Sequence, residues 1–222
     1  MTELVYINGD LVPRDEAKIS VFDHGFLYGY GLFETMRAYN GTIFLLGPHM
    51  ERLKNGAAAI GLDLRGIDLI AACRETVQAN HLTEARIRLT VTGGDAPSMP
   101  WDPTGGKPTI VVHVREFKGI AAEVYARGYR AGVSSVRRCA DSALAGIKSN
   151  NYLVTVLARK EAAAMGLDES ILFNDKGCIA EGGNSNVFFT RKGVLVTPTL
   201  ESGILPGITR QLVMEIAAEH RI

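Results

Sequence analysis

Apolar and polar positions trade places through Leu4-Val5-Tyr6-Ile7 and again through Asp10-Leu11-Val12, with Asn8-Gly9 between the two runs. Asn-Gly accepts the positive φ values that a type I′ turn requires, so the pattern predicts a β-hairpin. The same device recurs at Asn40-Gly41, between residues 32–39 and 42–44. Beyond it the apolar spacing lengthens from two to helical values. A helix is predicted with Pro48 at its first position and Gly61 at its end, and a second over residues 67–80. Residues 85–92 alternate once more, and residues 108–114 are almost continuously β-branched, which predicts two further strands. The stretch between them, residues 93–107, carries Gly93-Gly94, Pro97, Pro100, Pro103 and Gly105-Gly106. So many breakers preclude a regular element and leave a long loop of the kind that edges a pocket.

After Phe117 the periodicity fades through Gly119 and Arg127-Gly128. We therefore expect a small domain over residues 1–118, a linker over 119–128 and a larger domain over 129–222. In the larger domain the pattern predicts a strand over 129–136 and a helix over 151–165 stopped by Gly166. Strands over 169–173 and 178–180 should pair around Asp175-Lys176-Gly177, and strands over 186–190 and 194–197 around Arg191-Lys192-Gly193. A last helix is expected over 208–220. Strands and helices mix without strict βαβ alternation, so the expected class is α+β with two domains.

Composition narrows the partners. Lys plus Arg (24) equals Asp plus Glu (24), so no net field draws the chain to nucleic acid or to an anionic membrane. Small molecules are the expected ligands. Cys73, Cys139 and Cys178 are odd in number and far apart, which supports neither a disulfide framework nor a zinc site and fits a cytoplasmic protein. No run of about 18 apolar residues predicts a membrane span, and no secretion signal is read at the N-terminus. Signatures of P-loop nucleotide binding, serine hydrolysis and zinc proteolysis are missing from the sequence.

Five stretches carry candidate chemistry. Lys148, in Gly146-Ile147-Lys148-Ser149-Asn150-Asn151-Tyr152, follows small residues that leave room for a bulky ligand and precedes an apolar-striped helix. A lysine so placed can form a Schiff base, and Tyr152, four residues on, is expected on the same helical side. Glu181-Gly182-Gly183-Asn184-Ser185-Asn186 reads as a tight turn presenting one carboxylate, suited to holding a pyridine nitrogen protonated. In Leu205-Pro206-Gly207-Ile208-Thr209-Arg210, the Pro-Gly step exposes the N–H groups of Ile208 and Thr209 at a helix N-terminus, an anion site. His49 and Arg52 share a helix face, and the Arg52 fork suits a phosphate. Residues 23–34 form a loop of glycines and aromatics, with His24, Tyr28 and Phe33, able to wall a pocket or a subunit contact. Taken singly, each stretch has an ordinary structural explanation: a surface lysine or arginine, a solvated turn, a plain helix start, a bulged strand.

Together and in this order, these stretches resemble the fold-type IV pyridoxal-phosphate enzymes, which include branched-chain aminotransferases, D-amino-acid aminotransferases, (R)-amine transaminases and aminodeoxychorismate lyases. The resemblance implies Lys148 as the Schiff-base lysine of pyridoxal 5'-phosphate, Tyr152 at the cofactor's phenolic oxygen and Glu181 at its ring nitrogen. It implies Arg52 with the backbone of Ile208 and Thr209 around the phosphate, Leu205 on the ring face, and Asn186 supporting the Glu181 turn. Tyr28, Phe33 and Arg88 match substrate-pocket positions of branched-chain aminotransferases, with Arg88 for the second carboxylate of glutamate or 2-oxoglutarate. Arg86 stands where that subfamily usually has tyrosine. The carboxylate clamp of D-amino-acid enzymes has no counterpart in residues 93–101. The implied activity is amino transfer from an L-branched-chain amino acid to 2-oxoglutarate in a homodimer. A pyruvate-releasing aminodeoxychorismate lyase, a D-amino-acid or (R)-amine transaminase and a noncatalytic homologue remain as alternatives. Family members continue beyond the position of His220, so the C-terminal part is expected to be shortened.

Overall fold

A computed structural model describes residues 2–102 and 106–222. Pro103 and Gly105 of the expected loop, and Met1 of the expected first domain, lie outside the described residues. The chain resolves into two compact units: residues 1–119 with 148–151, and residues 120–147 with 152–222.

Unit 1 is built on strands β1 (Leu4–Ile7), β2 (Asp10–Pro13), β3 (Gly31–Tyr39), β4 (Thr42–Ile43), β5 (Ala85–Thr92) and β6 (Thr109–Glu116), with helices α1 (His24–Tyr28), α2 (Leu46–Ile60) and α3 (Leu69–Ala79). The strands form one antiparallel sheet in the order β2-β1-β6-β5-β3-β4. Both hairpins close as the Asn-Gly pairs dictate, with φ of 53° and 115° at Asn8 and Gly9 and 48° and 75° at Asn40 and Gly41. Alternation assigns the sheet's two faces. Leu32, Met36 and Ala38 of β3, Ile87 and Leu89 of β5, and Val112 and Val114 of β6 are buried on one face. The buried stripes Met50-Leu53-Ala57 of α2 and Leu69-Cys73-Val77 of α3 complete this core. The opposite face of β3, β5 and β6 carries Phe33, Arg37, Arg86, Arg88, His113 and Arg115.

Helix α2 begins two residues before Pro48. Leu45 enters it in the left-handed region, at φ 52°, and Pro48 is the third helical residue. The cost is small because the first four helical N–H groups have no intrahelical acceptor, so the missing donor breaks nothing. Helix α3 is shorter than expected because the Asp68 side chain caps it by accepting from Ala71 N at 2.9 Å.

Unit 2 contains α4 (Ala122–Arg127), β7 (Ala131–Arg138), α5 (Leu153–Ala164), β8 (Glu169–Asn174), β9 (Ile179–Gly182), β10 (Phe189–Arg191), β11 (Val194–Val196) and α6 (Ile208–Glu219). The expected linker is therefore mostly the short helix α4, terminated by Gly128 at φ 73°. Strand β7 runs parallel to β8 through the α5 crossover, and β8 turns back on β9. The Asn174 side chain organises that turn, accepting from Lys176 N at 3.1 Å and Cys178 N at 2.9 Å. Residues 186–188 stay outside β10, and the β10–β11 hairpin closes on Lys192 and Gly193 at φ 51° and 79°. Among the described residues no helix is long and apolar enough to cross a membrane.

Candidate functional site

Lys148 does not continue into a helix. Residues 148–150 run extended along the free edge of β3: Phe33 N donates to Lys148 O at 3.0 Å and Asn150 N to Gly31 O at 2.9 Å, with Ser149 bridging Leu32. The Asn151 side chain ties the end of this segment to Gly29 O at 3.2 Å. Tyr152 is instead the N-cap residue of α5, at φ −94° and ψ 5°. The helical-side argument linking Lys148 to Tyr152 is thus overturned: one residue is on a strand edge and the other at a helix start, so a repeat of 3.6 does not relate them.

The Lys148 ammonium lies 4.6 Å from the centre of the Phe33 ring, and the Arg88 guanidinium 3.5 Å from it. Phe33 is 2% exposed, Lys148 half-buried. Three of the sequence-identified residues therefore meet on the open face of the sheet. Arg88 also donates to Thr90 Oγ1 at 3.5 Å. Tyr28 is further out, exposed on α1, with its hydroxyl 3.7 Å from Met99 Sδ and its ring edge-on to His24. The described part of residues 93–107 does edge a cavity, of about 860 Å³, which His24, Tyr30, Leu62 and Asp68 also line. Lys148, Phe33 and Arg88 do not line it.

Arg52 lies on the helix-covered face. Its Nε and Nη2 donate to Glu34 Oε1 and Oε2 at 2.8 and 2.6 Å, and His49 Nδ1 is 2.7 Å from Glu34 Oε2. Glu34 is completely buried. Burial pushes its carboxyl up, but the hydrogen bonds from His49 and Arg52 outweigh that and hold it below the ordinary carboxylate value. Sequence reading missed Glu34. The available signal was a carboxylate on the core-facing parity of an otherwise apolar strand, with His49 and Arg52 one helical face away.

In unit 2, Glu181 is the penultimate residue of β9, a buried carboxylate fixed at both oxygens: Arg138 Nη2 is 2.9 Å from Oε1 and Leu205 N donates to Oε2 at 2.9 Å. The turn behind it is held by Glu169, which accepts from Gly183 N at 3.3 Å and Ser185 Oγ at 3.1 Å and pairs with Arg159 at 2.9 Å. Asn186 acts elsewhere. Its Nδ2 donates to Leu205 O at 3.0 Å, so it steadies the residue whose N–H holds Glu181. Arg138 and Glu169 escaped sequence reading because each lies far along the chain from the carboxylate or turn that it supports.

Helix α6 starts at Gly207, which brings no capping side chain to Ile208 and Thr209. A side chain at Gly207 would collide with Asn186 Oδ1, so the helix start sits tightly against Asn186. Arg210 anchors it from the other side, donating to Pro198 O at 2.9 Å and Thr197 Oγ1 at 3.3 Å. Each unit by itself carries groups of the kind that a phosphorylated pyridine aldehyde requires: unit 1 an amine on the edge of β3, and unit 2 a buried carboxylate of fixed orientation and an uncapped 12-residue helix. In chemical type the residues of each unit fit that group. Among the described residues no cluster could hold a metal ion.

The family model for amino-transferase class IV matches residues 31–222. A Methanocaldococcus jannaschii protein with a provisional branched-chain-amino-acid aminotransferase name is 42% identical over 98% of this chain and 76% of its own length. The aminodeoxychorismate lyase of Bacillus subtilis is 32% identical over 97% of this chain and 74% of its own. Among solved structures, the Escherichia coli branched-chain amino acid aminotransferase superposes with a TM-score of 0.93 at 31% identity, covering 100% of this chain and 76% of that one. The chain belongs to the class IV aminotransferases, a family of pyridoxal-phosphate-dependent enzymes. It spans about three quarters of the length of these relatives.

Proposed function

We propose that this protein binds pyridoxal 5'-phosphate and moves an amino group from a branched-chain L-amino acid to 2-oxoglutarate. The observation that carries the reading is the Lys148 amine, fixed by a backbone ladder to β3 and set over the Phe33 ring beside Arg88. When bound, the cofactor supplies an aldehyde that joins to an amine and a ring that takes up electron density from the substrate Cα. Lys148 Nζ would hold the cofactor at rest and, as a free amine, would move the proton at the substrate Cα. Glu181 would hold the ring nitrogen protonated, and Arg138 and Leu205 N–H keep its carboxylate in one orientation. Tyr152 would hold the phenolic oxygen and Leu205 the ring face. Arg52 and the N–H groups of Ile208 and Thr209 would hold the phosphate. Phe33 and Tyr28 line the side-chain pocket for a branched aliphatic group, while Arg88 receives the second carboxylate of the acceptor. A homodimer in the cytoplasm is part of this reading, supported by the family resemblance and by three unpaired cysteines.

A second reading, pyruvate-releasing elimination from aminodeoxychorismate, is favoured by the 32% identity to the Bacillus subtilis lyase. Incubating the purified protein with leucine and 2-oxoglutarate, and separately with aminodeoxychorismate, distinguishes the two. Glutamate formation without pyruvate supports the aminotransferase. Pyruvate release without glutamate replaces it with the lyase.

A further inference from the structure

The cavity of about 860 Å³ lies within unit 1, and its inner wall is locked together by backbone hydrogen bonds. His24 N donates to Gly94 O at 2.9 Å, Tyr30 N to His24 O at 3.2 Å and Gly93 N to Tyr30 O at 3.0 Å. The Tyr30 hydroxyl donates to Ile60 O at 3.0 Å, and a side chain at Gly93 would strike the Tyr30 ring. Within this wall His24 is 4% exposed, yet its imidazole has no hydrogen-bond partner among the described residues. A buried polar group left without a partner costs free energy. The fully sealed side-chain atoms in that condition are Arg37 Nε, Ser98 Oγ and Ser170 Oγ. The His24 nitrogens are not among them, so they open on accessible space, which is the cavity that His24 lines. The charged groups of the lining are Asp63, Asp68, Asp95 and Asp102 against Arg65 and Lys107. Arg65 is committed to Asp63, which it meets at 2.9 and 2.6 Å, whereas Asp68 and Asp95 pair with no cation among the described residues. Tyr6, also in the lining, registers this field: its phenol is pushed above the ordinary value by burial first, then by the charges of Glu75, Asp10 and Asp68.

We propose that this cavity is a further ligand site, and that it takes a small organic ammonium ion with an aromatic body. A His24 ring nitrogen accepts the ammonium N–H, which gives the buried imidazole the partner it lacks. Asp68 and Asp95 supply opposite charge; Asp68 Oδ1 already accepts from Ala71 N at 2.9 Å, which leaves Oδ2 for the ligand. The rings of Tyr6 and Tyr30 offer faces that attract a cation and apolar surface for its body. A bare metal ion does not match, because no group of His, Cys, Asp or Glu among the described residues could hold one. An anion does not match either, because carboxylates outnumber cations in the lining. The volume is that of a small-molecule site, which spans roughly 300–1,000 Å³.

The test is calorimetric titration of the full chain with N,N-dimethylphenethylamine, a tertiary amine that cannot condense with an aldehyde. N,N-dimethylphenylacetamide and hydrocinnamate have nearly the same shape, the first neutral and the second anionic. The amine should bind at least about tenfold more tightly than either. Asp95→Asn and Asp68→Asn should each weaken it about threefold, and the second keeps a side-chain oxygen to cap α3. His24→Leu should weaken it about fivefold. Should that buried substitution unfold the chain by circular dichroism, the two aspartate variants decide alone. Failure of the amine to bind, equal binding of the three probes, or amine binding unchanged in every folded variant would overturn the assignment. So would loss of amine binding once the protein is saturated with pyridoxal phosphate, since the ligand would then occupy the cofactor's place and not a cavity that Lys148, Phe33 and Arg88 do not line. Binding that persists beside the cofactor and weakens in Asp68→Asn and Asp95→Asn supports it.

Discussion

Glu34 in unit 1 and Glu181 in unit 2 are both buried glutamates with an arginine partner, yet they sit in very different surroundings. Glu34 lies in a core filled by Leu32, Met36, Ile87, Leu89, Met50 and Leu53, with its charge answered by Arg52 and His49. Glu181 lies in a unit whose buried apolar residues larger than alanine are, among the described residues, Leu172 and Ile204. Helix α5 sharpens the contrast. Its buried positions are Thr155, Ala158 and Ala162, while Leu153, Val156 and Leu157 are 67%, 42% and 49% exposed. The sheet of unit 1 is a scaffold with its own core, whereas unit 2 positions polar groups on little buried apolar area. A carboxylate in the first setting should govern stability and one in the second should govern chemistry.

Four substitutions or measurements put this contrast at risk. The largest effect is expected from Lys148→Ala, which should lower turnover at least about 10³-fold with no loss of folding, since the hydrogen bonds that tie residues 148–150 to β3 are made by backbone groups. Near-normal activity, or an unfolded unit 1, would contradict that. Glu34→Gln should come next, costing about 3 kcal/mol of stability in denaturant titration because Arg52 and His49 lose a buried counter-charge. Its pH signature follows from the lowered pKa. The folded state holds the proton less readily than the unfolded chain, so this contribution is complete above the ordinary value of 4.5 and is lost as pH falls through the lower folded value. The wild type should therefore lose stability below about pH 4.5 more steeply than Glu34→Gln. Parallel acid curves would refute it.

Glu181→Gln should show the opposite balance, with turnover down about 10²-fold and a change in stability below about 1 kcal/mol. Equal losses in both would erase the distinction between the two glutamates. The smallest effect is in native hydrogen exchange, where amides of β3, β5 and β6 should be protected at least about tenfold more than those of α5 and α6. Uniform protection would show that the thin core of unit 2 is no weakness.

The elements of unit 1 were legible in the sequence because each rule acts locally there. Alternation located β5 to the residue, and two Asn-Gly pairs fixed both hairpins. Unit 2 was less legible. Its strands are three to eight residues long, and the parallel β7–β8 pairing depends on a crossover that no local pattern displays. Tyr152 illustrates the limit: helical spacing from Lys148 is meaningless when residues 148–150 are held as a strand by β3, more than a hundred positions away. The candidate groups Lys148, Glu181, Phe33, Arg88 and Arg52 were singled out from residue type and order together with the family resemblance. Glu34, which holds Arg52, Arg138, which holds Glu181, and Glu169, which holds the following turn, were not, because a supporting contact depends on the folded path rather than on spacing.

The central claim is that one amine, on the edge of β3, holds the cofactor. Borohydride reduction of the protein with pyridoxal 5'-phosphate, followed by proteolysis and mass mapping, tests it most directly. The prediction is a single phosphopyridoxyl label on Lys148, in the peptide that continues into Ser149-Asn150-Asn151. A label on another lysine, or none, would contradict it.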